Sequence, residues 1–206
     1  VANHSLNIPI VILAAGASKR MGTVKQLLVW GNTTLLGHTI QTALKANTND
    51  VFVVLGAHYT AIKNDINKFP VSIIKNKDWR LGLGKSIACA ADHIINLKPE
   101  IDAVLICLAD QPFIDANYLN TLIDNFSPGE NQIIATSYKS GVLGVPVIFD
   151  KTYLSELSKL GDDKGAKQII HAYASFVKTV VPSFQNIDLD SKADYDAFYK
   201  RAFDDF

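Results

Sequence analysis

The chain is poor in cysteine and has no surplus of either charge. Its two cysteines, Cys89 and Cys107, lie inside apolar segments; that placement reads as buried free thiols and argues against a disulfide scaffold or a cysteine metal pair. Twenty basic residues balance twenty acidic ones, which argues against a broad nucleic-acid surface but leaves room for a local basic pocket. No apolar run approaches the roughly 18–20 residues of a membrane span. Residues 1–7 lack the basic and apolar regions of a signal peptide. Linkers, repeats and low-complexity segments are also missing. These absences imply a cytoplasmic enzyme or binding protein with no nucleic-acid or membrane partner. At 206 residues, 48% of them apolar, the chain is expected to form a single domain over 1–206, with 1–7 as an N-terminal extension.

Strand-like and helix-like patterns alternate along the chain. Apolar runs at 8–13, 51–55, 71–74, 103–108, 133–136, 145–149 and 176–181 read as strands. Apolar residues at helical spacing follow most of them: Leu36, Ile40, Ala43 and Leu44; Ile87, Ala90, Ala91, Ile94 and Ile95; Leu119, Leu122, Ile123 and Phe126; Ala166, Ile169, Ile170 and Tyr173; Tyr195, Phe198, Tyr199 and Ala202. Residues 59–67 also read as a helix. The alternation predicts a three-layer α/β/α fold with a Rossmann-like, mostly parallel sheet, mixed near its end, and 103–108 as the central strand. Pro146 lacks a ladder donor, so its strand is expected to be short or at an edge. Ligands of such folds sit beyond the C-terminal strand ends.

Chemistry concentrates at those ends. The first apolar run breaks at Leu13-Ala14-Ala15-Gly16 into small residues, followed by Arg20, Gly22 and Lys25. Small residues let backbone N–H groups approach a phosphate and basic side chains close over it; an ordinary polar turn fits the same composition. Asp110-Gln111-Pro112 directly follows the most hydrophobic strand. Asp110 is a hard oxygen donor suited to Mg²⁺, or a turn-capping residue. Asp188-Leu189-Asp190 places two carboxylates two positions apart, for a cation or for capping the last helix. Asp194 reads as a helix-surface residue. Gly82 and Gly84 can bring backbone close to a base or ribose, with Ser86 capping the next helix. Gly84-Lys85-Ser86 is not a phosphate-binding P-loop, because Trp79 stands where its first glycine belongs. Gly82-Leu83-Gly84 is not a dinucleotide fingerprint, because Ile87 replaces its third glycine. His38, His58, His93 and His171 are isolated, without metal-ligand spacing.

These pieces, in this order, resemble the MobA-like nucleotidyltransferases over about residues 8–200, most of all the molybdenum cofactor cytidylyltransferase branch. Leu13 to Gly22 with Lys25 is similar to the family's signature loop. Asn76, Trp79, Gly82, Leu83, Gly84 and Ser86 resemble its base- and ribose-contacting segment, and Asp110-Gln111-Pro112 its metal-aspartate motif. Gly144, Pro146 and Val147 resemble an acceptor-side segment. Asp188, Asp190, Asp194 and Tyr195 resemble the closing Asp-x-Asp-x-x-x-Asp-Tyr pattern, in which the second aspartate is the metal ligand. The resemblance implies a nucleotide-diphospho-sugar transferase type of fold and nucleotidyl transfer with Mg²⁺ on Asp110 and Asp190. Arg20, Lys25 and Asp110 would be catalytic. Leu13, Ala14, Ala15, Gly16, Arg20, Gly22, Lys25, Asn76, Gly82, Gly84 and Ser86 would hold the nucleotide. Trp79, Gln111, Gly144 and Pro146 would lie on the acceptor side.

In this family Leu-Ala-Ala-Gly goes with cytidine nucleotides, so Ala15 implies CTP. The implied acceptor is a molybdopterin-type cofactor, with a molybdoenzyme or its chaperone as a further partner. Lys85, Val145, the 161–167 loop and Ser191-Lys192-Ala193 depart from the family pattern. Two other readings stay open: transfer to a sugar or alditol phosphate, and a nucleotide-binding cofactor chaperone.

Overall fold

The computed structural model describes residues 6–98, 100–138, 141–161, 165–183 and 188–203. Strand β1 (Ile10–Leu13) is followed by a two-stranded hairpin, β2 (Val29–Trp30) and β3 (Thr33–Thr34), and by α1 (Leu35–Leu44). Then come β4 (Val51–Leu55), α2 (Tyr59–Ile66), β5 (Ser72–Lys75), α3 (Leu83–Ile94), β6 (Ala103–Leu108) and α4 (Ala116–Asp124). The last third holds β7 (Ile133–Ser137), β8 (Leu143–Asp150), α5 (Leu154–Leu157), α6 (Lys167–Ala172), β9 (Val177–Val180) and α7 (Lys192–Phe203).

Seven strands form one sheet in the order β5-β4-β1-β6-β8-β7-β9. β5, β4, β1 and β6 are mutually parallel, β8 is antiparallel to β6 and β7, and β9 runs parallel to β7. The mixed sheet with β6 at its centre is the one expected. Successive β1 side chains point to opposite faces. Ile10 and Ile12 pack with α1, α2 and α4, whereas Val11 and Leu13 pack with α3, α5 and α6. Each fully buried Ile or Leu contributes roughly 1.5–3 kcal/mol, so the three layers are held by the period-two pattern itself. Among the described residues no helix is long and apolar enough to cross a membrane.

Three local expectations need correction. Pro146 lies in an eight-residue strand between β6 and β7, neither short nor at an edge. The β7–β8 register jumps from Ala135↔Val147 to Thr136↔Gly144, leaving Val145 and Pro146 in a bulge where no ladder donor is required. The Pro146 carbonyl accepts from the Thr136 hydroxyl at 2.6 Å, and the Val145–Pro146 peptide is cis. Ser86 does not cap α3. The helix starts at Leu83 after Gly82 (φ 103°), and Ser86 is buried one turn inside it. Asp190 does not cap α7 either; Ser191 and Asp194 do, the Ser191 amide and hydroxyl donating to Asp194 Oδ2 at 2.8 and 2.7 Å and the Asp194 amide to Ser191 Oγ at 3.1 Å. Those bonds hold the Asp194 carboxyl below its usual range.

Candidate active site

The chain leaves β1 on one side, through β4 to β5, then returns through α3 to β6 on the other side. The order in which strands are added therefore reverses between the parallel neighbours β1 and β6, and a crevice opens beyond their carboxyl ends. Leu13 and Leu108 are paired in register there, which brings the loop after β1 and Asp110 together.

Successive carbonyls of the first loop are tied back into the protein. Ala14 O and Gly16 O accept from Gln26 Nε2 at 2.9 and 2.8 Å, and Ala15 O accepts from the Ala57 amide at 2.9 Å. Ser18 adopts a left-handed conformation (φ 54°) and opens a short 3₁₀ turn, Lys19–Met21. Gly22 (φ 65°) closes that turn, its amide donating to Lys19 O at 3.4 Å. Met21 is buried and anchors the tip, while Arg20 and Gly22 stay exposed. A side chain at Gly16 would meet nothing within 4 Å; that space is open to a ligand.

The opposite wall carries the carboxylates. Asp110 accepts from Lys25 Nζ at 2.5 Å, and both side chains are largely buried. Lys25 also reaches Leu189 O at 3.3 Å, and the Leu189 amide donates to Asp110 O at 3.0 Å. Arg20 pairs with Asp190 Oδ1 at 3.0 Å on a more exposed rim. Gln111 Nε2 donates to Asp188 Oδ1 at 2.8 Å. Residues 188–190 are not in a strand, yet they alternate as if they were. Leu189 is fully buried among Trp30 and Leu35, and the aspartates on either side face Gln111 and Arg20. Removal from water, then the charges of Asp110 and Asp190, raise the Asp188 carboxyl above its usual range, against the lowering pull of the Gln111 hydrogen bond and Lys25.

The donor set fits a hard divalent cation. Asp110 Oδ1 is buried and has no hydrogen-bond partner, and three carboxylates share one region. Among the described residues no three His, Cys, Asp or Glu side chains form a cage. Mg²⁺ is commonly bound by only one or two carboxylates together with substrate phosphates.

Two cavities meet at Leu13, Leu83 and Leu108. The smaller, about 220 Å³, is lined by Ala14, Ala15, Gly16, Lys25, Gly82, Ser86 and Asp110. Trp79 lines this cavity too, beside the loop after β1. Gly56 permits that placement: a Cβ there would collide with Trp79 Cβ, lie 2.6 Å from Trp79 Cγ and 2.8 Å from Ala15 O. Asn76 is buried and does not line the cavity. Its Nδ2 donates to Ser86 Oγ at 3.1 Å, and its Oδ1 accepts from the Asp78 amide at 2.8 Å. Gly84 is buried in α3.

The larger cavity, about 470 Å³, takes in Gln111, Asp188, Gly144 and a mostly apolar wall that includes Ile87, Val142 and Ile170. Pro146 is buried in β8 and does not line that cavity. The tip of the 161–167 loop, residues 162–164, lies outside the described residues, as do residues 1–5 of the N-terminal extension.

A family model for the MobA-like NTP transferase domain matches residues 10–177. The chain belongs to the MobA-like NTP transferase family. The resemblance read from the motifs is thereby borne out, and so is the nucleotidyltransferase class at family level. A crystal structure of an Rv0371c homolog from Mycobacterium sp. strain JC1 is 28% identical, with a TM-score of 0.82 over 94% of this chain and 96% of that one. Rv0371c of Mycobacterium tuberculosis H37Rv in complex with manganese is 26% identical, with a TM-score of 0.78 over 94% and 98%. Nicotine blue oxidoreductase of Paenarthrobacter nicotinovorans is 35% identical over 131 residues; the match covers 63% of this chain and 61% of that relative.

Sequence reasoning missed three contributors to this MobA-like site. Gln26 is 2% exposed; the available signal was an amide side chain set directly against Leu27 and Leu28. His38 and Thr39 on α1 brace the aspartate turn, His38 Nε2 donating to Pro112 O at 2.9 Å and Thr39 Oγ1 to Ala109 O at 3.4 Å. Burial, and then the nearby charge of Lys45, lower the His38 pKa, partly offset by the Pro112 hydrogen bond.

Proposed function

We propose that this protein is a Mg²⁺-dependent nucleotidyltransferase that transfers CMP from CTP to a molybdopterin-type cofactor and releases pyrophosphate. One observation carries the reading: two cations of the phosphate-binding loop, Lys25 and Arg20, stand face to face with Asp110 and Asp190 across a single crevice. A triphosphate needs the cations and a divalent metal needs the carboxylates. Mg²⁺ on Asp110 and Asp190 would neutralise phosphate charge and polarise the reacting phosphoryl group.

The rest falls to the chain. Backbone amides between Ala15 and Gly22 hold the triphosphate. Arg20 and Lys25 stabilise charge on the transferring and leaving phosphates. An acceptor phosphate oxygen attacks the α-phosphorus in line; the new O–P bond forms as the bond to the β-phosphate breaks and pyrophosphate leaves. Positioning and charge neutralisation suffice for this chemistry, in keeping with a site that needs no strong side-chain nucleophile.

The larger cavity supports the acceptor class. Its walls are largely apolar, which suits a flat heterocycle better than a sugar or alditol phosphate, whose hydroxyls each demand a partner when buried. Ala15, which lines the smaller cavity, favours CTP. We take 1–206 as one domain acting in the cytoplasm, where nucleoside triphosphates are available, and handing its product to a molybdoenzyme or its chaperone.

The test is pyrophosphate release with CTP or GTP, Mg²⁺ and reduced molybdopterin-type cofactor, beside sugar and alditol phosphates. Release with CTP and the cofactor, abolished by a chelator and restored by Mg²⁺, is expected. Release only with sugar or alditol phosphates would reassign the acceptor. Tight CTP binding without release for any acceptor would indicate a chaperone.

A further inference from the structure

The first three peptides of the loop after β1 offer one polarity to a ligand. The carbonyls of Ala14, Ala15 and Gly16 all accept hydrogen bonds from the protein, whereas the amides of residues 15–18 donate to no described residue. A peptide group turned so that its carbonyl points away presents its N–H on the other side. These three peptides therefore meet an anion with donors, their own oxygens being held by the protein. Gln26 fixes two of those three carbonyls with a single NH₂ group. Its own oxygen is placed to accept from the Ser18 hydroxyl at 3.3 Å, and Ser18 Oγ in turn accepts from the Lys25 amide at 3.4 Å. One buried carboxamide thus ties together the strand end, the left-handed Ser18 and the residue that carries the loop's buried cation.

We propose that Gln26 is a positioning residue that sets the polarity of the phosphate loop: by capturing the Ala14 and Gly16 carbonyls it commits the intervening amides to a polyphosphate. The proposal rests on the nucleotidyltransferase reading for its ligand class and on the hydrogen bonds for its mechanism. Without the carboxamide, two carbonyl oxygens lose their donor, and the least costly relief is rotation of those peptides toward the open crevice. Each rotation replaces a donor facing the phosphates with an acceptor. The effect should scale with the number of phosphates and leave the nucleoside untouched.

Titration calorimetry of the wild type and Gln26→Met in the presence of Mg²⁺ tests this, with inorganic tripolyphosphate, CTP and cytidine as separate probes. Methionine keeps the length and volume of the side chain and removes its polar head. Tripolyphosphate and CTP are expected to bind about tenfold more weakly or worse, with cytidine unchanged. In turnover, the KM for CTP should rise and the KM for the acceptor stay constant. Equal weakening of all three probes, or no change in any, overturns the proposal.

Should Gln26→Met not fold, hydrogen exchange on the wild type decides: tripolyphosphate should protect the amides of residues 15–18, and their failure to slow overturns the proposal. Wild-type protein that binds tripolyphosphate but transfers no nucleotide refutes the functional reading and leaves the role of Gln26 standing. Wild-type protein that binds no tripolyphosphate overturns both.

Discussion

The Lys25–Asp110 pair separates what the site contributes to stability from what it contributes to turnover. The two charges approach to 2.5 Å with side chains only 18% and 15% exposed. At an effective dielectric of ~20 their attraction is about 7 kcal/mol, but taking two ions out of water costs several kcal/mol each. The pair as a whole therefore adds little to folding, whereas half of it is expensive. Asp110→Asn leaves a buried ammonium without its counter-charge, facing only neutral oxygens such as the Leu189 carbonyl at 3.3 Å; we expect a loss of about 2–4 kcal/mol. Lys25→Met leaves a carboxylate whose Oδ1 has no partner, at a similar or larger cost of about 3–5 kcal/mol. The double variant removes both charges and should lie within ~1 kcal/mol of wild type, a coupling of several kcal/mol in the double-mutant cycle. In thermal terms each single variant melts about 5–15 °C lower, and the double recovers most of that. Pyrophosphate release should nevertheless fall by on the order of 10³-fold in all three. Urea titrations and turnover on the same preparations measure both quantities. Additive stability changes would show that the ion pair does not exist in solution, and wild-type turnover in the double variant would refute the catalytic roles.

Other perturbations reach the site from different directions. Gly56→Ala would force its methyl into Trp79 and the Ala15 carbonyl; it should cost about 1–3 kcal/mol and weaken nucleotide binding, seen as a raised KM for CTP with a lowered melting temperature. His38 has a folded pKa below its ordinary 6.5, so the unfolded chain binds more protons as pH falls through that value. Stability is therefore complete above about pH 6.5 and declines as pH falls from there toward the folded value. In His38→Gln that slope should flatten in urea midpoints measured from pH 7.5 to 5. Ala15→Gly enlarges the smaller cavity by a methyl group, and the CTP to GTP ratio of kcat/KM should drop roughly tenfold.

Legibility in the sequence followed the physics of each feature. Buried parallel strands announce themselves as apolar runs, and 51–55 and 103–108 stand where those runs end. Leu13 and Asp110 were legible as candidate site residues because position at a strand's carboxyl end is a topological fact. Pro146 misled because a missing ladder donor was weighed without its partner strand, and the compensating shift sits opposite, between Ala135 and Thr136. The hairpin 29–34 and the packing of Trp30 against Phe113, Tyr195, Tyr199 and Phe203 were hidden, since aromatic contacts across such separations leave no periodic trace. Asn76 was read as a nucleotide contact from the resemblance of its segment to the family's; the fold bonds its polar atoms to Ser86 and Asp78, partners that the sequence pattern does not show. Gln26 was invisible for a related reason, as its partners are carbonyls whose direction depends on the path of the loop.

Leu189 has a consequence for how the molecule is made. It is fully buried among residues from the first fifth of the chain, and its carbonyl lies 164 positions from Lys25. A ribosome delivers the loop after β1 well before the Asp188–Asp190 segment. In the interval the nascent chain carries a cationic loop whose Asp190 counter-charge has not yet been translated, while Asp110 arrives between the two. Sequence-distant closure of this kind is slow to form. Until Leu189 docks, the cationic loop and its carboxylate partners cannot come together, so the proposed site is assembled only after the segment carrying Asp188 and Asp190 has been made.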